Sequence, residues 1–138
     1  KSAAIDEAGC QSELEGLSES RAIYFSSGSA RLTQKSTPVL TTLVTLLKRC
    51  SSVVVEAGGH TDNVGSSAYN LNLSKDRAAA VVAYLVNQGV PADQLRAEGY
   101  GDAQPVAPNT SRRNRARNRR IDFRVVGERT AKADTAKR

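Results

Sequence analysis

Gly59-His60-Thr61-Asp62-Asn63-Val64-Gly65, continued by Tyr69-Asn70, Leu73-Ser74 and Arg77-Ala78, decides how this 138-residue chain is read. One acid and one base stand at fixed separation. Asp62 sits where an apolar strand gives way to a Gly-flanked turn. From Ser66 to Asn87 there is neither Pro nor Gly, and Ala, Leu, Lys and Arg are frequent, so the spacing predicts a helix with Ser66 as N-cap and Gly89 as stop. Leu73, Val81 and Leu85 mark one face of it, and Arg77 falls in their row. A guanidinium on an apolar stripe needs a partner, because an unpaired buried charge is costly. Two arrangements meet that need. Asp62 and Arg77 form a structural salt bridge, or they stand apart and clamp a zwitterion that satisfies both.

Working outward, Ser52 to Ala57 is a Val-rich interior strand that Gly58 and Gly59 end. Pro38 to Arg49 carries Leu40, Leu43, Val44 and Leu47 at i, i+3, i+4 and i+7, an amphipathic helix with Pro in its first turn. Ala22 to Phe25 reads as a short first strand and Ser26-Ser27-Gly28-Ser29 as a small-residue loop. Gln94 to Tyr100 is a third strand, and Gly101 to Asn118 a long loop with room for one helical turn. Arg119 to Val126 alternates Ile121, Phe123 and Val125 against Arg120, Asp122 and Arg124, a strand with one buried face. Strands alternating with helices imply an α/β layer fold.

The ordered series resembles the OmpA-like peptidoglycan-binding domain family. Gly-His-Thr-Asp-Asn-x-Gly-Ser-x-x-Tyr-Asn-x-x-Leu-Ser-x-x-Arg-Ala carries the resemblance, with Gly99-Tyr100-Gly101, Pro105-Val106-Ala107, Asn109-Thr110, Arg115-Ala116 and Asn118-Arg119-Arg120-Ile121 following in order. It covers roughly residues 21 to 126. It implies a βαβαββ fold, with helices packed on one face of a mixed four-stranded sheet. It also implies a non-catalytic anchor that binds the meso-diaminopimelate of the peptidoglycan stem peptide, without cofactor or metal. Asp62 would take the ammonium and Arg77 the carboxylate, a bidentate geometry that Lys cannot copy. Asn70, Thr61 and Asn63 would complete the ring, Leu73 would wall the aliphatic stem, and Ser26, Ser27 and Gly28 would approach through backbone groups. Arg119 would lie at the rim. The family pattern has Gly where Asn114 stands, and Asn is the most tolerable replacement if that backbone is left-handed.

An envelope location, on the periplasmic face and attached to the outer membrane, goes with that reading. There Cys10 and Cys50 would form one disulfide, the alternative being two buried thiols. It would dock residues 1–20, a polar extension with helical character from Ile5 to Leu17, while residues 127–138 are expected to be a disordered basic tail. The chain does not begin with Met, and no run of 18 apolar residues occurs, so it reads as a piece of a longer porin, lipoprotein or stator-like protein. Any membrane attachment would then come from parts outside it.

The net charge of +6 is unevenly placed: residues 112 to 120 hold six arginines in nine positions. A polyanion or nucleic-acid binder built on Arg112 to Arg120 is the alternative function. Against it, this segment has no aromatic residue for base stacking. His60 beside Asp62 raises the thought of catalysis, but no nucleophile motif accompanies them, and one His with two separated Cys gives no zinc pattern.

Overall fold

The computed structural model describes residues 4–129. Helix α1 (Glu7–Ser20) is followed by α2 (Thr37–Arg49), β1 (Val53–His60), α3 (Ser67–Asn87), β2 (Leu95–Gly101), α4 (Arg112–Asn118) and β3 (Arg120–Glu128). The sheet order is β2-β1-β3, with β1 parallel to β2 and antiparallel to β3. The parallel pair requires a crossover, and α3 supplies it. Ser66 caps α3 by accepting the Tyr69 N–H at 3.1 Å. Gly89, at φ +100°, follows its last turn.

One sheet face carries Val55, Ala57, Leu95, Ile121 and Phe123 into a core shared with Leu14 of α1, Leu40, Leu43 and Leu47 of α2, and Val81 and Leu85 of α3. The buried row of α3 is Asn70, Ser74, Ala78, Val81 and Leu85. Leu73 and Arg77 flank that row and are half-buried, a shift from the expected stripe. Small residues face the sheet because the strands beneath are glycine-surfaced. A Cβ on Gly59 would collide with the Ser74 backbone, and one on Gly99 with the Lys75 backbone. Gly58 and Gly59 therefore do not end β1, which runs on to His60.

The expected fourth strand is absent from the sheet. Ala22 to Phe25 turns back on itself instead, with an isolated antiparallel bridge from Phe25 to Leu32 and a Thr33 N–H to Tyr24 carbonyl bond of 3.0 Å. The outer edge of β3 is already occupied. Ser18 Oγ accepts the Phe123 N–H and Gln11 Oε1 the Val125 N–H, each at 2.8 Å. Side chains of α1 thus do for that edge what a neighbouring strand would do.

Cys10 and Cys50 are joined, their Cα atoms 6.1 Å apart, so α1 is pinned to the end of α2. Strand β3 extends through Glu128, two residues into the stretch expected to be tail; residues 130–138 lie outside the described residues. The long loop holds α4 rather than a single turn. Asn114 is helical there, its N–H bonded to Ser111 Oγ at 3.1 Å, so no left-handed backbone is required of it. Among the described residues no helix is long and apolar enough to cross a membrane.

Candidate functional site

At the end of β1 the chain is locked into a turn. The Thr61 N–H bonds the Gly101 carbonyl at 2.9 Å, and Thr61 Oγ donates to the Asp62 carbonyl at 2.7 Å. Asn70, buried on α3, donates its side-chain amide to the Asp62 and Val64 carbonyls at 3.3 and 3.0 Å. Asp62 Oδ1 accepts the Val64 N–H at 3.0 Å, closing an Asx turn. These bonds fix the direction of the Asp62 carboxylate. Its other oxygen meets an Arg119 amino group at 2.6 Å.

The salt-bridge partner of Asp62 is thus Arg119, and Arg77 stands apart. Arg77 Nε donates to the Ser29 carbonyl at 2.8 Å, and its guanidinium carbon lies 4.9 Å from the centre of the Phe25 ring. The Ser26–Ser29 turn presents that carbonyl, closed by a Ser29 N–H to Ser26 carbonyl bond of 3.0 Å with Gly28 at φ +65°. Among the described residues the terminal amino groups of Arg77 have no hydrogen-bond or ion-pair partner. Burial lowers the Arg77 pKa and the Arg119 cation adds to it, while Tyr69 and Asp62 oppose. A partly desolvated cation with two free amino groups is a site for an anion.

Around these groups is a cleft of about 230 Å³, lined by Phe25, Ser27, Gly28, Arg77 and Arg119 among others. The structure thus brings together four of the residues expected from sequence: Ser27, Gly28, Arg77 and Arg119. Asp62 joins them through Arg119. Asn70 and Thr61 spend their polar groups on the turn, and Asn63 is exposed on it. Leu73 and Ser26 are half-buried and do not line the cleft. Phe25 was missed as a site residue, since an aromatic in a short apolar run signals only a strand.

His60 also borders the cleft, but its ring belongs to the opposite sheet face. It stacks on Tyr100, with ring centres 5.1 Å apart and planes 13° apart, and its Nε2 lies 3.6 Å from Asp122. Burial, helped by Arg120, lowers its pKa to about 4 against the pull of Asp122 and Glu56. His60 is neutral at pH 7 and is oriented toward Asp122, not Asp62. It therefore does not form the base–orienter pair that its sequence neighbourhood suggested.

An α/β binding domain with an acid–base cleft at the carboxyl end of its central strand is the class these features define. The chain belongs to the OmpA family, whose model matches residues 24–119. Outer membrane porin F of Pseudomonas aeruginosa is 35% identical over 125 residues, 90% of this chain and 36% of that protein. Peptidoglycan-binding protein ArfA of Mycobacterium tuberculosis is 37% identical over 103 residues, 75% of this chain and 32% of that protein. The chain thus spans about a third of the length of both curated relatives. The crystal structure of the peptidoglycan-associated lipoprotein from Burkholderia pseudomallei superposes with a TM-score of 0.70 at 32% identity, covering 77% of this chain and 90% of that one. As a member of this family the chain is not an enzyme.

Proposed function

We propose that this chain binds peptidoglycan non-covalently in the bacterial envelope, on its periplasmic face, by gripping meso-diaminopimelate in the stem peptide. One observation carries the reading. Arg77 is held by the Ser29 carbonyl and the Phe25 ring while its two terminal amino groups remain free, beside a carboxylate fixed by its own turn. The terminal amino groups of Arg77 fork onto the ligand carboxylate. Asp62 accepts from the ligand ammonium, for which a carboxylate has spare lone pairs. The half-exposed Arg119 side chain is the counter-ion that Asp62 exchanges for the ligand ammonium. Ser27 and Gly28 line the cleft without bulk, which permits close approach of the peptide. The relatives ArfA, a peptidoglycan-binding protein, and the peptidoglycan-associated lipoprotein support peptidoglycan as the partner.

The test is sedimentation with insoluble peptidoglycan. Asp62→Ala and Arg77→Ala are each expected to lose one to two decades of affinity, because a hydrogen bond to a charged group contributes about 1.5–3 kcal/mol. Arg77→Lys is expected to bind poorly too. Wall material with lysine at the third stem position lacks the second carboxylate and is expected to bind more weakly. Equal binding of both walls, or full retention by both alanine variants with unchanged circular dichroism, contradicts the clamp.

A further inference from the structure

Beside the cleft lies a second groove, of about 480 Å³, lined by Arg21, Arg113, Arg117 and Arg119 over Ile23 and Tyr24. Arg119, Ile23 and Tyr24 line the cleft as well, so the two adjoin. Among the described residues no acidic side chain lines the groove. Three further observations distinguish it from an ordinary solvated face.

Helix α4 is seven residues long and contains Arg112, Arg113, Arg115 and Arg117 with no acid among them. Arg113 and Arg117 are four apart, a like-charge pairing that opposes the helix. Among the described residues neither side chain has a hydrogen-bond or ion-pair partner. Arg21 is the third observation. It caps α1 in the left-handed region, at φ 49° and ψ 39°, where glycine is the usual residue. Its Nε is buried without a partner among the described residues. The Arg21 guanidinium is held by an amino group that donates to the Glu19 carbonyl at 3.1 Å, so the groove gathers guanidinium groups from the end of α1 and from α4.

We infer that this groove is a second anion subsite, taking a carboxylate on the residue next to diaminopimelate in the same peptide. The inference rests on the peptidoglycan reading above. The glutamate is joined through the other amine of diaminopimelate, across its three-methylene stem, so its carboxylate stands on the order of two extended residues from the gripped zwitterion, within reach of the adjoining groove. Arg119, common to both, links them: once the ligand ammonium satisfies Asp62, its guanidinium turns to the second carboxylate. The chain then discriminates peptides whose neighbouring carboxylate is free from those in which it is amidated. The Ile23 and half-exposed Tyr24 floor suits a peptide stem.

The test is calorimetric titration of the full chain with two synthetic peptides of alanine, γ-linked glutamate and meso-diaminopimelate, one with the glutamate α-carboxylate free and one with it amidated. Wild type is expected to prefer the acid about three- to tenfold, a modest factor because the groove is open to water. Arg113→Ala/Arg117→Ala is expected to lose most of that preference while binding the amide at the wild-type level. Both side chains are exposed, and their removal relieves repulsion, so folding is not at risk. Asp62→Ala is expected to bind both peptides one to two decades more weakly. Retention of the acid preference by Arg113→Ala/Arg117→Ala overturns the groove and leaves the clamp standing. Wild type that binds neither peptide overturns both. Wild type without a preference, but with DNA binding that the double variant loses, assigns the groove to nucleic acid and overturns the inference.

Discussion

Asp62 and Arg119 lie 57 residues apart in the chain and meet at 2.6 Å, with Arg119 lining the cleft. The carboxylate is 12% exposed and the guanidinium 45%, so one end of the pair is fixed and the other wet. Such a pair contributes little to stability, since water screens it and an ordered long side chain costs entropy. Arg119→Ala is expected to change the urea midpoint by less than about 1 kcal/mol in equivalent stability. A double-mutant cycle with Asp62→Asn is expected to return a coupling of the same small size. A coupling above about 2 kcal/mol would make this a structural brace rather than a site poised for exchange.

His60 gives the fold a pH dependence with a definite sign. Its pKa is about 4 in the folded protein against 6.5 in the unfolded chain. Above pH 6.5 both states are neutral there and the residue has no effect. Below it the unfolded chain takes up a proton that the folded protein refuses, so stability falls with pH until about pH 4. By pH 5 the loss from this group is about 2 kcal/mol. His60→Gln is expected to flatten the stability profile between pH 6.5 and 5, above the range where carboxylates titrate. Urea titrations at four pH values measure it, and an unchanged slope in the variant would show that His60 is not the group responsible.

What could be read from sequence followed local periodicity. Leu40, Leu43 and Leu47 mark α2 because apolar spacing along one helix needs no knowledge of its partner. Ser66 marks the start of α3 for the same local reason. The pairing of Asp62 with Arg119 was not legible, since two sequence-distant ions carry no periodic signal and Arg77 was nearer. The inward row of α3 was misread because Asn70, Ser74 and Ala78 are small or polar. Their burial is dictated by glycines on the strands beneath, which read as breakers. The missing fourth strand depended on side chains of α1 reaching the β3 edge, a contact between residues over a hundred positions apart in the chain.

Those glycines make a prediction of opposite signs. Gly59→Ala drives a methyl into the Ser74 backbone, which cannot rotate away as a side chain would. Overpacking of this kind costs about 1–3 kcal/mol or more. Gly16 lies within α1 with nothing near its missing Cβ. Gly16→Ala is expected to stabilise by about 0.5–1 kcal/mol through helix propensity alone. Thermal melts of the two variants decide it. A Gly59→Ala melting temperature at or above wild type would mean that α3 can lift from β1 without cost.

The bridge between Cys10 and Cys50 is buried completely, and both residues are core members as well as covalent staples. At a sequence separation of 40, closing this loop is worth about 3–4 kcal/mol in the chain-entropy model. Because α1 also satisfies two N–H groups on β3, loosening it exposes that edge as well. Cys10→Ser/Cys50→Ser is expected to lower the melting temperature by about 10–20 °C, at roughly 3–5 °C per kcal/mol for a domain of this size. Dithiothreitol alone is expected to leave the wild-type bridge intact, since reduction needs thiolate access to a buried sulfur. Neither change reaches Asp62 or Arg77, so peptidoglycan sedimentation at 25 °C is expected to be retained. Thiol labelling in denaturant without reductant is the direct check. Two reactive thiols per chain in freshly purified protein from the envelope would show that the bridge does not form there. Loss of wall binding in the serine variant below its melting temperature would show that α1 shapes the cleft rather than only securing the fold.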